Sequence, residues 1–162
     1  MILLRTIRDQ QYSIGINWKK RDAARAILFN ENNLVPLLYV AKQEYHKLPG
    51  GGVYKNEKKT HALAREVKEE VGSDIEIVSE LGKIIEYRTQ WKLKQTSYCY
   101  LGNIISKGIP KFTKEEMRNG FELIWVSLEE AIEKVTNDTT SDYEGAFIQE
   151  RDLTFLRKAC EF

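Results

Sequence analysis

Between Gly51 and Ser73 the chain reads GGVYKNEKKTHALAREVKEEVGS, and this stretch restricts the fold more than any other. At about 100° per residue, Leu63, Val67 and Val71 make one apolar stripe of a helix. Glu66, Glu69 and Glu70 make an adjoining acidic arc. Glu66 and Glu70 are like charges at i, i+4, which is unfavourable even on an isolated helix. A helix that needed only solubility would intersperse lysines there. Three carboxylates in one place suit a hard divalent cation, because Mg2+ takes oxygen ligands and shares its shell with substrate phosphates. Just upstream, Leu48-Pro49-Gly50-Gly51-Gly52 places a proline and three glycines where the backbone must turn tightly and approach something closely. A glycine loop feeding an acidic helix makes sense if a loop carbonyl joins the carboxylates around a metal ion. A solvated helix face, with Arg65 pairing Glu69 at i, i+4, accounts for the charges but leaves the glycines unexplained.

Length and charge limit the rest. A chain of 162 residues is expected to form a single domain (1–162) with a substantial core. The formal charge is +1 and no Lys/Arg stripe is evident in the sequence, so no nucleic-acid partner is expected. Cys99 and Cys160 are too few for a disulfide framework or a structural zinc site. Met1-Ile2-Leu3-Leu4 ends at Arg5, too short for a signal sequence, and no apolar run reaches the length of a membrane span. The expected setting is cytoplasmic, with no membrane partner.

Periodicity places the elements. Ala23–Phe29 reads as a buried strand, Asn30–Asn33 as a turn, and Val35–Ala41 as the antiparallel partner of the first strand. The helix should run over Lys59–Val71 and stop at Gly72. Ile75–Arg88 reads as one strand or two, with a break near Gly82, and Gln95–Ile105 is rich in β-formers. Ser106–Gly120 reads as a polar loop and Phe121–Val126 as a short strand. Ser127 then caps a helix with Glu130 in the capping-box position, and Gly145–Cys160 closes the chain as a helix. Tyr12–Trp18 is a candidate strand.

The order Gly51-x5-Glu57-x7-Arg65-Glu66-Val67-x-Glu69-Glu70-x-Gly72 resembles the box of the Nudix family, whose members hydrolyse nucleoside diphosphates linked to another group X. Ser73, where an aliphatic residue is usual, is the one departure. The resemblance implies an α/β fold, a Nudix-like α/β/α sandwich with a mixed sheet covered by helices. The core would span about 22–156, with 1–21 as an N-terminal extension that covers a sheet edge, enters a homodimer interface or borders the substrate. It also implies Mg2+, with Mn2+ as a substitute, held by Glu66, Glu69, Glu70 and the Gly50 carbonyl. Arg65 and Glu57 would hold the box carboxylates in place. The general base is expected either in the box, at Glu69 or Glu70, or on a later segment, where Glu115, Glu116 and Glu122 are the candidates. A loop acid is favoured, because a carboxylate that binds metal has its lone pairs engaged and its basicity lowered.

Tyr45, Tyr87, Trp91, Tyr98, Trp125 and Tyr143 are the aromatics considered for a nucleobase, and His46 for a phosphate, although an idle surface histidine is the simpler reading. Tyr87-Arg88-Thr89-Gln90 lacks the proline that many ADP-ribose pyrophosphatases carry about fifteen residues past the box. A small-molecule nucleotide is therefore expected as substrate, with a (deoxy)nucleoside triphosphate first and a nucleotide sugar or dinucleoside polyphosphate second. A Nudix-like module that binds a nucleotide without cutting it is the alternative from another class.

Overall fold

A computed structural model describes residues 1–162 as two β-sheets and four helices. The strands are β1 (Leu3–Arg8), β2 (Lys19–Phe29), β3 (Val35–Val40), β4 (Tyr45–Lys47), β5 (Gly50–Gly52), β6 (Ile75–Arg88), β7 (Leu93–Ile104) and β8 (Phe121–Val126). The helices are α1 (Lys59–Glu70), α2 (Lys114–Arg118), α3 (Leu128–Asn137) and α4 (Tyr143–Ala159). One sheet has the order β1-β6-β7-β2-β5 and the other β4-β3-β8. The larger is mixed: β1 with β6 and β2 with β7 are parallel, whereas β6 with β7 and β2 with β5 are antiparallel.

Period-two alternation along β2 divides the core. Ala24, Ala26 and Leu28 face α1 and bury against Leu63, Val67 and Val71, the apolar stripe of the motif helix. Ile27 faces the other way, into the cluster of Val35, Leu37 and Leu48 with Phe155 and Leu156 of α4. Helices thus cover both faces of a mixed sheet, as the α/β/α reading requires. α4 also carries Arg151 and Asp152, both fully buried. Asp152 accepts from the guanidinium of Arg151 (2.7 and 3.1 Å) and from the Leu48 N–H (2.8 Å), which ties the segment entering the glycine strand to α4.

Three expectations fail. β3 does not pair with β2, because β7 and β5 already occupy both edges of β2; β3 instead joins β4 and β8 in the second sheet. Tyr12–Trp18 forms no strand. It lies in the connection that carries the chain past β6 and β7, where Tyr12 stacks on Trp18 and both meet Tyr87 edge-on. The polar loop after Ile105 is not wholly irregular, since Thr113 and Glu116 form a capping box that starts α2. Other expectations hold. α1, β8 and the Ser127–Glu130 box stand where the sequence put them, and the N-terminal residues cover the β6 edge as β1. β6 is continuous, with register shifts at Ile77/Ser79 and Glu80/Gly82.

Candidate active site

β5 is an edge strand made of three glycines and paired only to β2. The absence of side chains lets the acidic face of α1 close on it. A Cβ on Gly51 would lie 2.2 Å from Glu66 Cδ, so the Glu66 carboxylate fills the space a side chain would take. Gly50 sits at φ +126°, and a Cβ there would meet the Ala24 carbonyl oxygen at 2.1 Å. Its N–H donates to Glu70 Oε2 at 2.7 Å. Glycine is required at these two positions for different reasons, a carboxylate at one and backbone at the other.

The acids do not stand free, and this changes the repulsion expected from their spacing. Arg65 Nη1 donates to Glu66 Oε1 (2.6 Å), while Nε and Nη2 hold Glu57 in a two-pronged pair (3.1 Å each). Nη2 also reaches the Gly52 carbonyl (3.1 Å), and the guanidinium lies over the Tyr54 ring. Hydrogen bonds to Glu57 raise the Arg65 pKa, and the same pairing lowers that of Glu57. Arg65 therefore pairs with Glu57 and Glu66, not with Glu69. Glu70 is buried, and Lys47 Nζ donates to its Oε1 at 2.7 Å. Burial pushes the Glu70 carboxyl upward, opposed by Lys47 and the Gly50 N–H.

Glu66, Glu70 and the three glycines form one wall of a cavity of about 460 Å³. Glu115 and Glu116 stand across it, and Arg21, Arg25 and Lys47 supply positive charge. A larger depression, about 630 Å³, lies between β1 and α4 around Leu4, Arg5 and Arg157, away from every motif residue.

The remaining candidates separate cleanly. Glu69 is half-buried, lies off the cavity and has no side-chain partner; on a helix it points about 100° away from Glu70. As a result no three His, Cys, Asp or Glu side chains converge into a ready-made metal cluster. Glu122 is exposed and off the cavity, because alternation along β8 turns it away from the face that carries Phe121. Glu116 accepts the Thr113 N–H (2.7 Å) in its capping box, whereas Glu115 makes no such bond. His46 is not idle: Nδ1 lies 2.7 Å from Asp138 and the ring packs at a tilt against Tyr39, in a different depression. Of the aromatics considered, only Tyr45 lines the cavity, joined by Phe121. Tyr87 and Tyr143 are held in aromatic contacts elsewhere, Trp91 packs on Tyr143, and Tyr98 sits under Lys59.

Sequence reasoning missed Arg21, Arg25 and Lys47. The signal for Lys47 was present. On a strand, Tyr45 and Lys47 share a face opposite to His46, so the lysine and not the histidine points toward the glycine loop. The two arginines converge with it from another strand, which a linear search for a Lys/Arg stripe does not detect.

The donor set fits a hard divalent cation. Glu66 and Glu70 would offer it carboxylate oxygens against a backbone that has no side chains, and in this structure Arg65 and Lys47 neutralise them.

The chain matches the NUDIX domain over residues 19–145 and belongs to that family. Among solved structures it resembles the MutT protein from Methanosarcina mazei (TM-score 0.63, 21% identity, covering 91% of this chain and 98% of that one). It also resembles a NUDIX hydrolase from Nitrosomonas europaea (TM-score 0.65, 15% identity, 88% and 90% covered). At these identities the likeness speaks for the fold. A curated relative, an RNA pyrophosphohydrolase from Campylobacter jejuni subsp. doylei, is 39% identical over 59 residues, which cover 36% of this chain and 38% of that protein's length. No helix is long and apolar enough to cross a membrane.

Proposed function

We propose that this chain is an active Nudix hydrolase that cleaves a phosphoanhydride bond in a nucleoside diphosphate linked to X, with a (deoxy)nucleoside triphosphate as the first substrate to test. The observation that carries this reading is the seating of Glu66 and Glu70 against Gly51 and Gly50 at the wall of a polar, cation-bearing cavity. Glu66 and Glu70 would hold a divalent cation, with Glu69 and the Gly50 carbonyl as further oxygen donors. When bound, the cation polarises a phosphoryl oxygen and acidifies the attacking water.

The residues of the chain do the positioning. Arg65 holds Glu66 and the Gly52 carbonyl in one frame, with Glu57 as its counter-charge. Lys47 neutralises Glu70 in the free protein, and would be at hand for a phosphate were a metal ion to take over that charge. Glu115 is the candidate base: it faces the cavity with both carboxylate oxygens unengaged, and would take the proton of the attacking water as the in-line displacement proceeds.

The likeness to an RNA pyrophosphohydrolase supports a second substrate, a triphosphorylated RNA 5′ end, in place of the free nucleotide. One panel tests both. Phosphate and pyrophosphate release is measured from nucleoside triphosphates, nucleotide sugars, dinucleoside polyphosphates and a 5′-triphosphorylated RNA, with Mg2+ and with EDTA. The expected result is release from one class, abolished by EDTA and reduced at least ~10²-fold in kcat by Glu66→Gln and by Glu70→Gln, about 2.7 kcal/mol of transition-state stabilisation. A folded wild type that releases nothing from any member would identify a non-catalytic module.

A further inference from the structure

One buried cation of the cavity is left without a task by the hydrolase reading. Arg25, on β2 opposite Gly50, is 6% exposed and lines the cavity. It forms no ion pair. Its single hydrogen bond is a long one, 3.4 Å from Nη1 to the Ala24 carbonyl, and its buried Nε has no partner. Both nearby carboxylates are engaged elsewhere. Asp152 holds Arg151 and the Leu48 N–H, and Glu70 holds Lys47 and the Gly50 N–H. Burial, with Arg151 also close, pulls the Arg25 guanidinium down to about 10 against the opposing charges of Asp152 and Glu70, which still leaves it charged at neutral pH.

A buried cation that no carboxylate contacts directly is costly. Such a cost persists in a fold when an anion that is absent from the free protein relieves it. Arg21 lies on the same face of β2, four residues away and exposed, with its guanidinium over Gly52. The cavity therefore has two charged sides, one at α1 and the outer edge of β5 and one at β2. Carboxylates from α1 line one side, and arginines from β2 line the other.

We propose that Arg25, assisted by Arg21, is the subsite for a phosphate of the substrate, on the β2 side of the cavity that Glu66 and Glu70 line from α1. The inference deepens the hydrolase reading and rests on it. A guanidinium suits this task because it presents several donors in a plane to phosphate oxygens. The group bound there is one whose charge the divalent cation leaves unneutralised, so Arg25 sets affinity for the polyphosphate chain more than the rate of bond cleavage.

The test is metal-free. Inorganic tripolyphosphate is titrated into wild type, Arg25→Gln and Arg25→Lys in EDTA by calorimetry, and melting temperatures are recorded without ligand. Arg25→Gln should weaken tripolyphosphate binding at least ~10-fold, the loss of one charge-assisted hydrogen-bonded contact. Arg25→Lys should retain part of the affinity. Without ligand, Arg25→Gln should melt at or above the wild-type temperature, because an unpaired buried charge has been removed. On whichever nucleotide the panel identifies, KM should rise by the same factor with kcat changed less than ~3-fold. Unchanged tripolyphosphate affinity in Arg25→Gln, or a lower melting temperature with affinity intact, overturns the proposal and makes Arg25 a structural residue. The two readings fail separately. An inactive wild type that binds tripolyphosphate through Arg25 refutes the hydrolase alone, and an active enzyme with an indifferent Arg25 refutes the subsite alone.

Discussion

Gly50 and Gly51 are adjacent and both intolerant of a side chain, yet they should fail in different ways. An alanine at 51 meets the end of a flexible glutamate, which can swing aside. Gly51→Ala should keep its melting temperature and lose activity by about 10²-fold, because Glu66 is displaced from its seat by more than an ångström. An alanine at 50 meets the Ala24 carbonyl and a backbone at φ +126°, neither of which can yield cheaply. Gly50→Ala should lower stability by about 1–3 kcal/mol, read as a shift in the denaturant midpoint, with activity falling as a consequence. Equal loss of stability in both variants would contradict the geometry. The sequence shows three glycines in a row; it does not show that one yields to a carboxylate and its neighbour to a strand. That distinction depends on where α1 lands on β5, which no residue within the loop encodes.

At the scale of elements, α2 separates two acids that look interchangeable in the sequence. Lys114-Glu115-Glu116 reads as a charge run, and nothing in it marks one glutamate as special. Thr113 does: it caps α2 and draws Glu116 back onto its own N–H, leaving Glu115 facing the cavity unengaged. At saturating Mg2+, Glu115→Gln should depress kcat and alter the acidic limb of the pH–rate profile. Glu116→Gln and Glu122→Gln should remain within about threefold of wild type. A normal Glu115→Gln enzyme would return the base to the box.

Elements with strong local signals were legible in the sequence for the same kind of reason. α1 and α3 carry a stripe or a cap, and β8 lies between a glycine and a serine cap. Pairing was not legible. β2 and β3 are joined by a tight turn in which Asn30 Oδ1 accepts the N–H groups of Asn32 and Leu34, the local picture of a hairpin, yet the strands part into different sheets. The box acids were legible from their spacing, whereas Arg21, Arg25 and Lys47 were not, because they meet only after β2 and β4 are brought together.

Across the whole molecule, a buried ionic network joins the larger sheet to α4. Glu86 accepts from Arg88 (2.8 Å), Gln95 (2.9 Å) and Ser97 (2.9 Å), and lies 3.7 Å from Arg151. Burial alone would push the Glu86 carboxyl up, but Arg151 and Arg88 hold it below its ordinary value of 4.5. The stability it contributes is therefore complete above 4.5 and is lost as pH falls through its lower, folded-state value. Glu70 has the opposite sign. Its value is raised, so its contribution is present below 4.5 and is lost as pH rises through the folded-state value. Glu86→Gln should lower stability at neutral pH by about 1–3 kcal/mol, because Arg88 and Arg151 keep Glu144 and Asp152 but lose a buried, hydrogen-bonded counter-charge, and should flatten the acid limb of the stability curve. Denaturant midpoints between pH 3 and pH 7 check both parts, and an acid limb as steep as wild type would remove Glu86 from its place in acid unfolding.

The strand order carries a kinetic consequence. β5 pairs only with β2, and the other edge of β2 is completed by β7, with Lys19 opposite Leu93 and Phe29 opposite Asn103. Closing that parallel pair brings together points roughly 75 residues apart, and the β1–β6 pair spans a similar distance. Contact order is therefore high, and folding should be slow, in milliseconds to seconds. Glu66, Glu70 and the glycine strand all lie inside the loop so closed. On a ribosome they emerge well before β7, so a nascent chain would display the whole box in sequence while the frame that aligns it is still unmade.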